Sequence, residues 1–212
     1  MQSYLFLHPE TITPQQLEQE MLPLLPAWRR EQVLNFTPFS SKVLCAKSFL
    51  LLKEGLEKDF GITQEVSFDY LEHGKPVLKE YPHIHFNLSH CQNGILCVID
   101  EKGPVGCDIE AKNRKVRESL LLKCCNEREL EEIHSNPCPD QAFMRLWTRK
   151  EAVLKYTGQG LTQDLPSLLS DKLLETVELE TFQEEDVFYS ICQSRQMNYA
   201  SMLSSISMTL SK

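Results

Sequence analysis

The chain has 212 residues, of which 42% are hydrophobic and 25% charged, with a formal net charge of −8. That is enough for one large domain or two small ones with substantial cores, in the composition range of globular proteins. The acidic balance argues against general nucleic-acid binding, which needs a basic footprint, and no apolar run approaches the roughly 18 residues of a membrane helix.

The N-terminal stretch Met1–Pro9 has no basic region and only a short apolar run, so a secretory leader is not expected and the cytoplasm is. Eight cysteines are present; none forms a C-x-x-C pair or a zinc-spaced set with His, which predicts reduced core residues. Residues 3–8 alternate as a first strand. Thr13 caps a short helix with Pro14 in its first position, ended by Pro23 and Pro26. A helix from Ala27 carries Arg29 and Arg30. A longer one, capped by Ser40 or Ser41 and running to about Phe60, carries Lys42 and Lys47. Strands follow at 66–70 and 77–78, joined by the turn His73-Gly74-Lys75-Pro76, and at 84–88 and 94–99. Beyond the turn at Gly103-Pro104 comes a strand bearing Asp108 and Glu110. Helices at 116–124 and 126–134 follow, with Asn126 and Glu129 spaced for a capping box. A long helix then carries Trp147 to Tyr156 and stops at Gly158 and Gly160. Strands fit 174–180, 186–192 and 202–210.

Two stretches carry chemistry. On an extended chain Asp108 and Glu110 point the same way, with Ile109 facing the core. Paired carboxylates repel unless a cation sits between them, and hard oxygen ligands at this spacing suit Mg²⁺. In the second stretch, Trp147, Glu151 and Lys155 recur every four residues on one helix face, so Glu151 is a candidate third oxygen ligand. Ser89-His90 is not a nucleophile with its base, because neighbours on an extended chain face apart. Small polar donors at the end of a strand suit phosphate oxygens instead.

Gly106-Cys107-Asp108-Ile109-Glu110, followed by Trp147-Thr148-Arg149-Lys150-Glu151-Ala152-Val153-Leu154-Lys155, resembles the paired signature of the 4′-phosphopantetheinyl transferases, in particular the single-chain Sfp-like branch. Gly74-Lys75-Pro76 and Phe86-Asn87-Leu88-Ser89-His90 extend the likeness upstream, so it covers about residues 74–160. The resemblance implies an α+β fold of two similar halves, a pseudo-dimer divided as 1–104 and 105–212, with the active site in the cleft between them. It implies Mg²⁺ held by Asp108, Glu110 and Glu151, and coenzyme A held by Arg30, Lys42, Lys75, Ser89, His90, Lys150 and Lys155. Glu151, Lys155 and Glu129 are its catalytic positions, although the Phe that precedes the family's helix-opening Ser-x-x-Glu is Cys125 here.

The implied reaction transfers the phosphopantetheine arm of coenzyme A to a serine of an apo acyl, polyketide or peptidyl carrier protein and releases 3′,5′-ADP. The basic loop Lys112/Arg114/Lys115 is a candidate surface for an acidic carrier, with a solvated loop as the alternative. A monomer without nucleic-acid or membrane partners is expected. Two other functions remain open on the residues alone: a Mg²⁺-dependent hydrolase of nucleotides or phosphodiesters, and a non-catalytic carrier-binding scaffold.

Overall fold

The computed structural model describes residues 1–160 and 164–195. The fold is α+β. One three-stranded antiparallel sheet contains β1 (Gln2–Leu7), β4 (His85–Cys91) and β5 (Gly94–Asp100), with β5 in the middle. A second, also antiparallel, contains β6 (Val105–Ala111), β7 (Val177–Glu184) and β8 (Val187–Ser194), with β8 in the middle. A small hairpin pairs β2 (Phe68–Tyr70) with β3 (Pro76–Leu78), turned by Gly74 at a φ of 80°. The strand expected at 202–210 lies outside the described residues.

Strand β5 shows why the sheets stack. It is buried along its whole length, and its side chains alternate between two cores. Ile95, Cys97 and Ile99 pack into a core with Val43, Phe49, Leu52 and Leu56 of the helix α3 (Phe39–Phe60). Leu96 and Val98 face the other way and meet Val105, Cys107, Ile109 and Ile191 of the second sheet. The far face of that sheet is covered by α6 (Pro139–Thr157), whose Ala152, Val153 and Leu154 join Val177 and Cys192 in a further core. The short helices α4 (Glu118–Cys124) and α5 (Glu127–His134) pack with Phe143 and Met144 against Phe188.

Several local expectations are met in detail. Thr13 caps α1 (Pro14–Gln16) with Pro14 in its first position, and Gln16 closes a capping box besides; α1 leads into a wider turn at Leu17–Met21. Asn126 and Glu129 form another capping box on α5. Gly158, at a φ of 69°, ends α6 with its N–H on the Leu154 carbonyl. Two boundaries differ. The cap of α3 is Pro38 rather than Ser40 or Ser41, and the helix therefore starts earlier, at Phe39. Strand β4 does not end at Leu88: pairing to β5 continues through Ser89, His90 and Cys91, so Ser89 and His90 are ladder residues and not a loop past the strand. The helix α2 (Ala27–Asn35) starts where expected, and a four-residue α7 (Asp171–Leu174) precedes β7.

Candidate active site

Gly106 sets the distance between the two elements that matter most. A Cβ at this position would sit 2.1 Å from the Ala152 carbonyl oxygen and 2.2 Å from the Tyr156 nitrogen. Only glycine lets α6 lie this close on β6. The approach brings Lys155 to Asp108: its Nζ is 2.6 Å from Asp108 Oδ1 and 2.9 Å from Ser89 Oγ. Ser89 in turn donates to Asp108 Oδ1 at 2.8 Å. One residue of each of three elements thus meets at a single carboxylate oxygen. A second stitch from β4 is Asn87, whose Oδ1 accepts the Cys107 N–H at 2.9 Å.

Asp108 is 5% exposed, and its other oxygen, Oδ2, is buried with no hydrogen-bond partner among the described residues. An unmatched buried carboxylate oxygen is costly and asks for a cation or donor. The neighbouring acids register the same excess of negative charge. Burial first, then the charge of Asp108, push the Glu151 and Glu110 carboxyls above their ordinary range. Glu110 is partly offset by Arg114, 2.8 Å away. Burial works against a charged Lys155, but Asp108 and Glu151 outweigh it and the net shift is upward. Among the described residues no three acidic, His or Cys side chains already enclose a metal position; the ammonium of Lys155 is the cation that meets Asp108 in this conformation. The donor chemistry fits a hard cation nonetheless: a free buried Oδ2, with two glutamates close enough to feel its charge.

A cavity of about 250 Å³ opens beside these groups, lined by Lys75, Pro76, Asn87, Glu151, Lys155 and Gly158 among others. Its walls come from the β2–β3 turn, from β4 and from the end of α6. Glu151 and Lys155 therefore share a cavity, as their spacing implied. Trp147 does not line it; its ring stacks on Phe143 at 5.9 Å, and it lines a separate cavity of about 450 Å³ with Val116, Leu120 and the basic Arg114, Arg117 and Lys123.

The other residues named from the sequence have identifiable neighbours. Lys75 Nζ donates to three backbone carbonyls, those of Val105 (3.0 Å), Lys155 (2.6 Å) and Tyr156 (3.3 Å). Lys150 is 1% exposed and donates to Glu129 Oε2 at 2.6 Å and to the Cys124 and Leu165 carbonyls at 2.7 Å. Glu129 also closes its own capping box on the Asn126 N–H at 3.0 Å, so it pairs with Lys150 and the helix start rather than facing Asp108. Arg30 holds the preceding turn through the carbonyls of Leu22 (3.0 Å) and Leu25 (3.1 Å). Lys42 has neither hydrogen bond nor ion pair among the described residues, and it is half-buried on α3. His90 is exposed on β4; crowding of its ring and the charge of Lys155 lower its imidazole.

Sequence reasoning missed two positions. Asn87 lies on the Ser89 face by the two-residue period, but its tether to the Cys107 N–H of β6 is not marked in the sequence. Arg29 has no comparable signal: its guanidinium lies over the rings of Trp28, Phe49 and Phe68 at 5.5–5.9 Å and bonds the Cys45 carbonyl.

The fold is α+β, with a buried acid–lysine pair and two attendant glutamates beside a cavity, and comparison with known proteins gives the family. The sequence profile of the 4′-phosphopantetheinyl transferase superfamily matches residues 104–200. A 4′-phosphopantetheinyl transferase of Bacillus subtilis is 30% identical over 154 residues, 71% of this chain and 67% of the relative. The 4′-phosphopantetheinyl transferase psf-1 of Bacillus pumilus is 33% identical over 166 residues, 70% of each chain. The 4′-phosphopantetheinyl transferase HetI of a Nostoc species is 38% identical over a shorter stretch, 47% of this chain and 44% of the relative. This chain belongs to the 4′-phosphopantetheinyl transferase family.

Proposed function

We propose that the chain moves the 4′-phosphopantetheine group of coenzyme A onto a serine hydroxyl of an apo carrier protein, with Mg²⁺, and releases 3′,5′-ADP. The observation that carries this reading is the buried Asp108 with its unmatched Oδ2, set against Lys155 beside a cavity. In the reaction the serine oxygen bonds to the pyrophosphate phosphorus that bears the pantetheine arm, and the bond from that phosphorus to the bridging oxygen breaks. The electron pair leaves with 3′,5′-ADP and the serine proton goes to a base. Catalysis of this kind is mostly positioning and charge neutralisation.

Asp108, Glu110 and Glu151 would hold the metal, which neutralises pyrophosphate oxygens when bound. Glu151, or a water held by it, is the base that takes the serine proton. Lys155, held by Asp108 and Ser89, would steady or protonate the departing phosphate. His90 and Lys42 are available for the remaining coenzyme A phosphates. Ser89 serves by orienting Asp108 and Lys155, and Glu129 and Lys150 serve by fixing α5 and the residues around Leu165 to α6. The division at 104/105 into two similar halves is supported by a repeated plan, a three-stranded antiparallel sheet with one long helix on it. No helix among the described residues is long and apolar enough to cross a membrane. A monomer acting on one carrier at a time completes the reading.

Incubating a panel of apo acyl, polyketide and peptidyl carriers with the protein, coenzyme A and Mg²⁺ tests it. The reading requires carrier mass to grow by one phosphopantetheine arm and an equal amount of 3′,5′-ADP to form, both stopped by a chelator. Release of ADP without a carrier would make the protein a hydrolase instead.

A further inference from the structure

The ammonium of Lys75 lies between two elements it does not belong to. It donates to Val105 O at the start of β6, three residues before Asp108, and to Lys155 O and Tyr156 O at the end of α6. The last carbonyls of a helix have no partner within it, and a cation near that end also meets the negative pole of the helix. Lys75 thus satisfies two such orphans and ties them to the strand bearing Asp108. Its stem passes Gly158, where an added Cβ would lie 3.5 Å from Lys75 Cδ. The turn Gly74-Lys75-Pro76, with Gly74 at a φ of 80°, aims the side chain across the cavity wall.

We propose that Lys75 is a positioning residue, which holds the end of α6 and the start of β6 in the register that brings Lys155 to Asp108, and that its ammonium does not bind donor phosphate. The proposal rests on Asp108 and Lys155 being the reactive pair. Three acceptors converging on one nitrogen leave no donor for a phosphate, and burial of the group already works against its charge. Lys75 would then let one half of the chain set the active-site geometry of the other.

A phosphate ligand and a carbonyl staple respond differently to substitution. Arginine replaces lysine well at a phosphate, but its planar fork cannot direct three donors to one point. For Lys75→Met we expect kcat to fall at least tenfold while KM for coenzyme A stays within about threefold. Lys75→Arg should fare no better, and backbone amides at 156–158 should exchange faster in both. A tenfold rise in KM with kcat kept, wild-type activity in Lys75→Arg, or unchanged kcat in Lys75→Met would overturn the proposal.

If either variant fails to fold, the wild-type protein supplies the answer through the ¹⁵N and ¹H signals of the Lys75 ammonium. They should be visible at neutral pH through slow proton exchange and should not move when coenzyme A is added; a shift on adding it contradicts the proposal. Wild-type enzyme with a carrier is the control. No transfer there defeats the functional reading, while the ammonium signals still report on Lys75.

Discussion

Lys155 Nζ and Asp108 Oδ1 are 2.6 Å apart, and they come from elements 47 residues distant in the chain. The pair uses one oxygen of Asp108 and leaves the other buried and unmatched. Asp108→Asn keeps the shape and removes the charge that both the lysine and a metal would use. We predict a fall in transfer on the order of 10²-fold or more. Stability in urea should fall, since the Lys155 ammonium loses its counter-charge, by less than that loss alone because repulsion with Glu110 and Glu151 is relieved. A variant with full activity would remove Asp108 from the site.

Stability should depend on pH and on divalent cation together. The Glu110 and Glu151 carboxyls titrate higher folded than unfolded, so between the ordinary value of about 4.3 and their raised folded values the native state holds more protons. Their contribution to stability is therefore lost as pH rises through that window, and the strain is complete above it. A bound cation relieves this strain most when both groups are ionised. We predict that Mg²⁺ raises the melting temperature more at pH 8 than at pH 5, and does neither in Asp108→Asn. An equal gain at both pH values would contradict the assignment.

Gly106→Ala tests the contact between helix and strand. The new methyl group would meet backbone atoms of α6 at 2.1 and 2.2 Å, and backbone cannot swing aside as a side-chain tip can. A loss of about 3 kcal/mol or more in urea unfolding is expected, toward the upper end for overpacking. Activity should fall even in the molecules that remain folded, because Lys155 moves with the helix.

How much of this was legible in the sequence differs with distance along the chain. The Thr13 cap, the capping box at Asn126/Glu129, the stop at Gly158 and the alternation of Asp108, Ile109 and Glu110 all follow from contacts a few residues long, and the sequence carries them. It does not carry the partners of Lys75, Lys150 and Arg30. Each lysine or arginine there donates to backbone carbonyls, and a carbonyl leaves no mark in the sequence to say that it waits for a cation. Trp147 shows the limit of periodicity: it shares the i, i+4 spacing of Glu151, yet Phe143 one turn earlier captures its ring. The start of α3 departs from the serine-capped start expected: the helix opens after Pro38, which makes no side-chain cap bond.

The Lys150–Glu129 pair should behave as a buried ion pair. Lys150→Met leaves a carboxylate that is 12% exposed without its cation, for which a cost of about 3–5 kcal/mol is expected. Adding Glu129→Gln removes the stranded charge and keeps the capping hydrogen bond. The double variant should regain more than half of the loss in urea unfolding. Additive losses would mean that the two side chains do not act as a pair.

The central claim is that Asp108, Glu110 and Glu151 with Lys155 form the centre that transfers the phosphopantetheine arm. Its most direct measurement is the intact mass of one responsive apo carrier after incubation with coenzyme A, Mg²⁺ and either wild-type protein or Glu151→Gln. The account predicts complete conversion by wild type and, over the same time, no detectable conversion by a Glu151→Gln variant that still folds. Conversion by Glu151→Gln at the wild-type rate would contradict it.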